Sequence, residues 1–285
     1  MEHEAKLARV VIGTRALALL RRWSLGDEAE AEAEEELNTI AEMLAHRDEL
    51  PLGEVFHFES LDIADGYAAW SETHDVVPNP LIDAEERSLR PLLAELPAGD
   101  ALDAACGTGR VAGILAELGH RVIGVDPSEE MLDRARAKNV PATFLRGSFD
   151  ALPAADASVD LVTCMLALTH VTDLGPAFRE FARVLRPGGA VVTTDIHPIA
   201  TALGGAALFR RADGSRAVTA NHTHWVNSYV RAITDAGLVI ERCLEPLVDE
   251  GYKVGLGSPE FREAADLSLT GLPLLLFWVL RRPGE

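Results

Sequence analysis

The sequence predicts an α/β fold, a doubly wound sheet of seven strands preceded by an N-terminal helical extension. Three features carry that expectation. From about Asp100, short apolar runs alternate with stretches of helical period, the rhythm of βαβ units on a parallel sheet. A glycine-rich turn stands between the first run and the first helical stretch. The last two runs are joined without a long helical crossover, so one of them should pair antiparallel at the sheet edge.

Ahead of the sheet, the apolar stretch Val10 to Leu20 is interrupted by Arg15 and lacks the unbroken apolar core of a signal peptide. Asp27 to Glu36 holds seven acids and no base, and its Glu/Ala composition favours helix. Leu37, Ile40, Ala41 and Leu44 follow at i, i+3, i+4, i+7, giving that helix an apolar face for the domain or for a homodimer through the N-terminal helices. Pro51 to Pro80 is irregular, with Tyr67, Trp70 and His74 among polar residues, and reads as a lid or a linker. The expected division is residues 1–80 as helical extension and lid, and residues 81–285 as the sheet domain with an insertion at about 198–223.

Within the sheet domain, Ala101 to Ala105 reads as the opening strand, with Val111, Ile114, Leu115 and Leu118 as the buried stripe of the next helix. Arg121 to Val125 is the second strand. Ser128 then serves as N-cap, with Glu129 and Glu130 in a first turn whose dipole favours acids. Ala142 to Leu145 and Leu161 to Leu166 are the third and fourth. Leu174, Ala177, Phe178, Phe181, Ala182 and Leu185 trace a helical face ended by Pro187-Gly188-Gly189, before a fifth strand from Ala190 to Asp195. Val226, Tyr229, Val230 and Ile233 form another stripe, closed by Gly237. Leu238 to Leu244 and Leu272 to Leu280 complete the seven, with a short acidic helix between them.

Composition narrows the function. Of 285 residues, 48% are hydrophobic and 25% charged, which suits a globular chain with a substantial core and excludes a disordered or fibrous one. Lys plus Arg total 26 against 45 Asp plus Glu, a net charge of −19 that repels polyanions. Nucleic acid and anionic membrane are therefore not expected as partners. Cys106, Cys164 and Cys243 show no paired-ligand spacing, which argues for a reducing, cytoplasmic setting and against a zinc site. The longest apolar run, Leu272 to Leu280, is too short to span a bilayer.

The chemistry concentrates in Asp103-Ala104-Ala105-Cys106-Gly107-Thr108-Gly109, at the junction of the opening strand and its helix. Glycines there let the backbone turn sharply and admit a ligand against the chain, and helix N-terminal amides face it. Asp126, at the end of the second strand, can accept both hydroxyls of a ribose. Together these point to a cofactor that carries a nucleoside. Gly107-Thr108-Gly109-Arg110-Val111-Ala112 also satisfies the G-x-G-x-x-A dinucleotide pattern, so an NAD(P)-dependent oxidoreductase is a second reading. That reading needs a second βαβαβ half and a Tyr/Lys proton relay, and the sequence shows neither. Asp103 would repel a pyrophosphate and welcome an ammonium group.

The segments DAACGTG (Asp103 to Gly109), GVDPSEEML (Gly124 to Leu132), RGSFDALP (Arg146 to Pro153), VDLVTC (Val159 to Cys164) and LRPGG (Leu185 to Gly189) resemble class I S-adenosylmethionine-dependent methyltransferases of the small-molecule type. The resemblance runs from about Tyr67 to the C-terminus. It implies strand order 3-2-1-4-5-7-6 with strand 7 antiparallel, and S-adenosyl-L-methionine as cofactor. By the same resemblance, Asp103 and the Gly107 to Gly109 backbone hold the methionine part, Asp126 takes the ribose hydroxyls, and Ala105, Cys106 and Pro127 also bind the cofactor. Met131, Ser148 and Phe149 meet the adenine, and Leu166 lies near the methionyl carboxylate. Two residues depart from the family pattern. Ala105 replaces the first glycine, which fits a slightly tighter turn at little cost. Ser148 replaces the adenine-edge acid, with Asp150 as an alternative acceptor for the adenine amino group.

A sulfonium activates its own methyl group, so the protein has to align a nucleophile, keep water out and, for a hydroxyl or carbon-acid acceptor, remove a proton. Histidine suits that last task near neutral pH. His170, after the fourth strand, and His197, after the fifth, are the candidate catalytic residues. For His170 the alternative is a ring that only packs its loop. Tyr67 and Trp70 are expected to cover the site, the alternative being that they anchor the N-terminal helix. His222, His224 and Trp225 line the acceptor together with the insertion, which could equally be a plain surface loop. No metal is expected, because the spacing of His222 and His224 fits no standard ligand pattern. The expected acceptor is a small organic molecule. A protein that binds the cofactor and catalyses a reaction other than methyl transfer stays open as a third reading.

Overall fold

The computed structural model describes residues 2–22, 28–249 and 259–284. Asp27, the first acid of the N-terminal run, lies outside them. Packing separates two compact units, and the break is not at residue 80: Met1–Ser60, Pro78–Ala84 and Leu247–Leu272 form one, and Leu61–Val77, Glu85–Pro246 and Pro273–Glu285 the other.

The first unit is not purely helical. Strand β1 (Glu2–Lys6) pairs antiparallel with β2 (Val55–Leu61), and helices α1 (Leu7–Arg22), α2 (Glu28–Ala45) and α10 (Pro259–Leu269) belong with them. Leu7, Ala8, Val11, Leu52 and Ala264 form its core, with Met43 packed against it. Arg15, the residue that interrupts the apolar stretch, is buried and bonds Glu36 at 2.9 Å and Glu263 at 2.7 Å. That pairing turns α2. Glu36 is buried and Ile40 and Met43 are half-buried, whereas Leu37 and Leu44 of the expected apolar face are exposed. A buried guanidinium needs its carboxylate, and that demand outweighs the exposure of two leucines.

The second unit holds the seven-stranded sheet. Its strands are β3 (Asp100–Ala104), β4 (Arg121–Asp126), β5 (Ala142–Arg146), β6 (Val159–Met165), β7 (Leu185–Ile196), β10 (Val239–Leu244) and β11 (Leu275–Arg281). The order is β10-β11-β7-β6-β3-β4-β5, and β11 runs antiparallel to both neighbours. Numbered within the sheet, this is the expected 3-2-1-4-5-7-6. Helices α5 (Arg110–Glu117), α6 (Glu129–Ala137), α7 (Gly175–Val184) and α9 (Val226–Asp235) connect the strands, and α4 (Pro80–Ala94), which belongs to this unit from Glu85 onward, precedes them. Strand β7 starts earlier than its sequence suggests. Leu185 already pairs with Val159, the Pro-Gly-Gly stretch is taken up as an irregularity, and regular pairing resumes at Leu161 with Ala190. The core joins Leu102, Val125, Val162, Phe178, Phe181 and Trp278.

Two pieces that the sequence leaves irregular are ordered. Residues 62–70 form an N-cap and helix α3 (Ile63–Trp70), Asp62 accepting the Asp65 amide. The insertion is helix α8 (Pro198–Ala202) followed by an antiparallel hairpin, β8 (Ala207–Arg210) and β9 (Arg216–Thr219). Helix α3 comes so close to β9 that a Cβ on Gly66 would sit 2.1 Å from Thr219 Cγ2.

Candidate active site

At the carboxyl end of β3 the chain turns through Ala105, Cys106, Gly107, Thr108 and Gly109 into α5. Gly107 and Gly109 take φ of 52° and 79°. A Cβ on Gly107 would meet nothing within 4 Å, so that face of the turn is open. On Gly109 it would press on the Phe144 ring at 3.0 Å and Ala135 at 3.1 Å. The turn is tied to β4: the Cys106 amide donates to the Val125 carbonyl at 3.0 Å and the Gly107 amide to Asp126 Oδ2 at 2.8 Å. Asp126 Oδ1 accepts the Ser128 amide at 2.9 Å, and Ser128 Oγ caps α6 by accepting the Met131 amide at 3.3 Å. Burial raises the Asp126 carboxyl even against these two amide bonds. Ala105 differs from expectation. Its φ of 56° is left-handed backbone, which costs a residue with a Cβ about 1 kcal/mol, so the replaced glycine is not free.

Asp103 lies buried two residues before that turn. Thr163 Oγ1, on the adjacent strand β6, donates to Oδ1 at 2.7 Å, while Oδ2 has no hydrogen-bond partner among the described residues. Burial pushes this carboxyl up to about 7, outweighing the Thr163 bond and the Arg110 charge. Arg110, at the start of α5, bonds the fully buried Glu85 of α4 and, at 3.2 Å, Glu86; Thr194 of β7 also donates to Glu85. Sequence reasoning missed this network, whose signal was an arginine directly after the glycine pair and a Glu-Glu pair in the preceding helix.

Across the sheet edge, Leu166 follows β6 in left-handed backbone (φ 53°), and the single 3-10 turn Leu168–His170 brings His170 round. His170 is buried. Its Nδ1 donates to the Ala220 carbonyl at 3.4 Å, so Nε2 accepts the Tyr67 hydroxyl proton at 2.7 Å, the two rings meeting edge to face. Burial lowers its basicity below the ordinary 6.5. On α3, Tyr67 contacts Trp70, which stacks on Phe209 of the hairpin at 5.0 Å and 9°. Thr73 donates to the Arg210 carbonyl at 2.5 Å. Asp75 accepts from Thr108 Oγ1, inside the glycine turn, at 2.7 Å and pairs with Lys138 at 2.7 Å. These bonds overcome burial and hold the Asp75 carboxyl well below the usual range.

The other expected residues fall in different places. His197 is an N-cap. Its Nδ1 accepts the Ile199 amide at 3.1 Å, and Nε2 donates to Glu245 at 2.9 Å, so neither nitrogen is available as a base. His224 is buried and donates Nε2–H to the Val171 carbonyl at 2.6 Å; the exposed His222 gives its backbone amide to Thr169 at 2.7 Å. Both secure the turn that carries His170. Trp225 caps α9 and is 54% exposed. Among the described residues no three His, Cys, Asp or Glu side chains group as metal ligands. Met131 is fully buried on α6, Phe149 packs on the core, and Ser148 donates to Asp150. Pro127 is exposed, its carbonyl accepting from Arg146 at 3.2 Å. Burial raises the Cys106 thiol. Asp195, buried at the end of β7, accepts the Tyr229 hydroxyl proton at 2.7 Å and is pushed by burial up to about 7. In the sequence this acid lies two residues before His197, in Asp-Ile-His-Pro.

Comparisons with known proteins find matches over part of the chain. Residues 102–193 match the family model described as a methyltransferase domain. A malonyl-[acyl-carrier protein] O-methyltransferase of Yersinia pestis is 44% identical over 91 residues, 32% of this chain and 34% of that protein. A ubiquinone/menaquinone biosynthesis C-methyltransferase of Rubrivivax gelatinosus is 43% identical over 89 residues, 31% and 36% of the two chains. This chain thus spans about a third of the length of these curated relatives. Among solved structures, an S-adenosylmethionine dependent methyltransferase from Mesorhizobium loti superposes with a TM-score of 0.52 at 29% identity, covering 67% of this chain and 96% of that one.

Proposed function

We propose that this chain, a member of the class I S-adenosylmethionine-dependent methyltransferases, transfers the cofactor's methyl group to a small organic acceptor. The observation that carries the reading is the pair of buried acids beside an open glycine turn: Asp103 with one unpartnered oxygen, and Asp126 oriented by two backbone amides. The donor set suits this cofactor. An unpartnered buried carboxylate oxygen suits an ammonium group, each Asp126 oxygen keeps a lone pair for a ribose hydroxyl, and the open face at Gly107 leaves room for a ligand against the chain. Asp103 and the stretch Ala105 to Gly109 would hold the methionine part, with Leu166 beside its carboxylate. Asp126 and Pro127 would hold the ribose, and Met131, Ser148 and Phe149 the adenine.

When bound, S-adenosylmethionine supplies a methyl group already activated by a sulfonium. The chain's own work is to position, to exclude water and to manage a proton. His170 is the base in this reading, because the Ala220 carbonyl holds the ring proton on Nδ1 and leaves the lone pair on Nε2. Tyr67 and Trp70, stacked through Phe209 onto the hairpin, form the cover. His222, His224 and Trp225 belong to the acceptor side. The net charge of −19 supports a small acceptor over nucleic acid, and no helix among the described residues is long and apolar enough to cross a membrane. Calorimetric titration with S-adenosylmethionine, S-adenosylhomocysteine and NADH tests the reading. Both sulfur nucleosides should bind and NADH should not; tight NADH binding, or no binding of either nucleoside, overturns it. Release of S-adenosylhomocysteine with a methylated product separates transfer from binding alone.

A further inference from the structure

We infer that the Tyr67 hydroxyl is the group that meets the acceptor, with His170 behind it as the destination of the proton, and that the acceptor is a hydroxyl or carbon acid and not a carboxylate. The inference rests on the reading above and adds the acceptor class. It starts from one geometric fact: both nitrogens of His170 are spoken for. A carbonyl can only accept, so the Ala220 contact fixes the ring proton on Nδ1, and the lone pair on Nε2 is covered by the Tyr67 hydroxyl at 2.7 Å. A proton leaving an acceptor therefore reaches His170 through the Tyr67 oxygen, which keeps a free lone pair for it.

The surroundings make Tyr67 a relay and not a base in its own right. The groups facing His170 are the Tyr67 hydroxyl from α3, the Ala220 carbonyl after β9, and the His222 ring. Those facing Tyr67 are His170, Asp126 at the end of β4 and Asp195 at the end of β7. Burial first, and then the two acids, oppose a free phenolate, so Tyr67 gives up its proton only as it gains another. In the step, the acceptor O–H or C–H bond breaks and its proton passes to the Tyr67 oxygen. The phenolic proton passes to Nε2, and the product is a neutral tyrosine and an imidazolium still bonded to Ala220. The acceptor's freed electron pair forms the new bond to the methyl carbon, and the pair of the broken C–S bond stays on sulfur. A carboxylate arrives already ionised and needs no such relay.

Ring nitrogen NMR on the full chain with S-adenosylhomocysteine bound reads the dyad directly, with His170→Gln assigning the signals. The expected result is an Nδ1–H tautomer that protonates below pH 6.5, and a Tyr67→Phe variant in which Nε2 shifts while the tautomer persists. An Nε2–H tautomer, or protonation at or above pH 6.5, overturns the relay whatever the acceptor is. With catechol or acetylacetone as acceptor, Tyr67→Phe should lower turnover about 100-fold, within the range for general-base catalysis, while S-adenosylhomocysteine affinity stays within about twofold. Full turnover in that variant, or methylation of malonyl pantetheine alone among the three probes, overturns the inference. Loss of S-adenosylhomocysteine binding in the wild type would instead remove the proposed function and leave the tautomer result standing.

Discussion

On the side of the glycine turn, Asp126 takes amide protons from Gly107, 19 residues away, and from Ser128, two residues away. On the proposed acceptor side, Tyr67 reaches His170 across 103 residues and His170 reaches the Ala220 carbonyl across 50. The first set is largely backbone and short in sequence; in the second, the Tyr67 contact forms only when α3 is docked. Damage to the turn should therefore appear as lost cofactor affinity, and damage to the α3 side as lost turnover with affinity kept.

The sharpest break in that contrast is Asp126→Ala. It removes a charged partner from two backbone amides and from the proposed ribose contact. The variant should lose about 2–3 kcal/mol of binding to S-adenosylhomocysteine, roughly 30- to 150-fold in Kd by calorimetry. Unchanged affinity would place the nucleoside elsewhere. Asp103→Asn comes next, with an affinity loss of about tenfold from one charge-assisted contact. It also has a signature in pH. Burial holds the folded Asp103 carboxyl at about 7, so its protonated form is the one the fold favours. That contribution to stability is complete below the ordinary carboxylate range of about 4 and is lost as pH rises through about 7. The free Asn variant should therefore melt higher than wild type at pH 8 and show little difference at pH 4. An ammonium ligand favours the ionised acid, so wild-type binding should release protons below pH 7, detectable by calorimetry in buffers of different ionisation enthalpy.

How much of this was legible in the sequence follows the same division. The glycine turn, Asp103, Asp126 and the Ser128 cap lie in short motifs whose chemistry is local, and the sheet has the strand order that the family resemblance implies. Apolar periodicity also placed α7 and α9. What stayed hidden were partnerships at long range. Leu37 and Leu44 read as an apolar face for the domain or a dimer partner, yet within this chain they are exposed and Arg15 draws Glu36 inward instead. His197 and His170 look alike as histidines after strands; one is an N-cap paired with Glu245, and the other meets a tyrosine. No residue count distinguishes them, because the deciding partners sit 48 and 103 residues away.

Gly66→Ala breaks the other side. The new methyl would overlap Thr219 Cγ2, so α3 has to move off β9 and carry Tyr67 away from His170. Overpacking of this kind costs about 1–3 kcal/mol. Turnover should fall about tenfold while S-adenosylhomocysteine affinity changes little, and Gly66→Ala with Thr219→Ser should recover part of the rate as space is restored. A variant that lost affinity and turnover equally would show that the two sides are not separable.

The smallest effect should come from Ala105→Gly, and its sign is informative. The residue sits in left-handed backbone at φ 56°, which disfavours any side chain by about 1 kcal/mol. Glycine removes that penalty but adds freedom to the unfolded chain worth about 0.4–1 kcal/mol, so the fold should gain only a few tenths of a kcal/mol. Thermal melting should rise slightly or not at all. Affinity should respond in the opposite sense, since the alanine stiffens a turn whose amide at Gly107 is already held by Asp126. A modest rise in Kd alongside an unchanged or higher melting temperature would mean that strain at Ala105 keeps the turn in its ligand-ready form. A lower Kd would mean that the strain merely opposes binding and that Asp126 alone sets the turn.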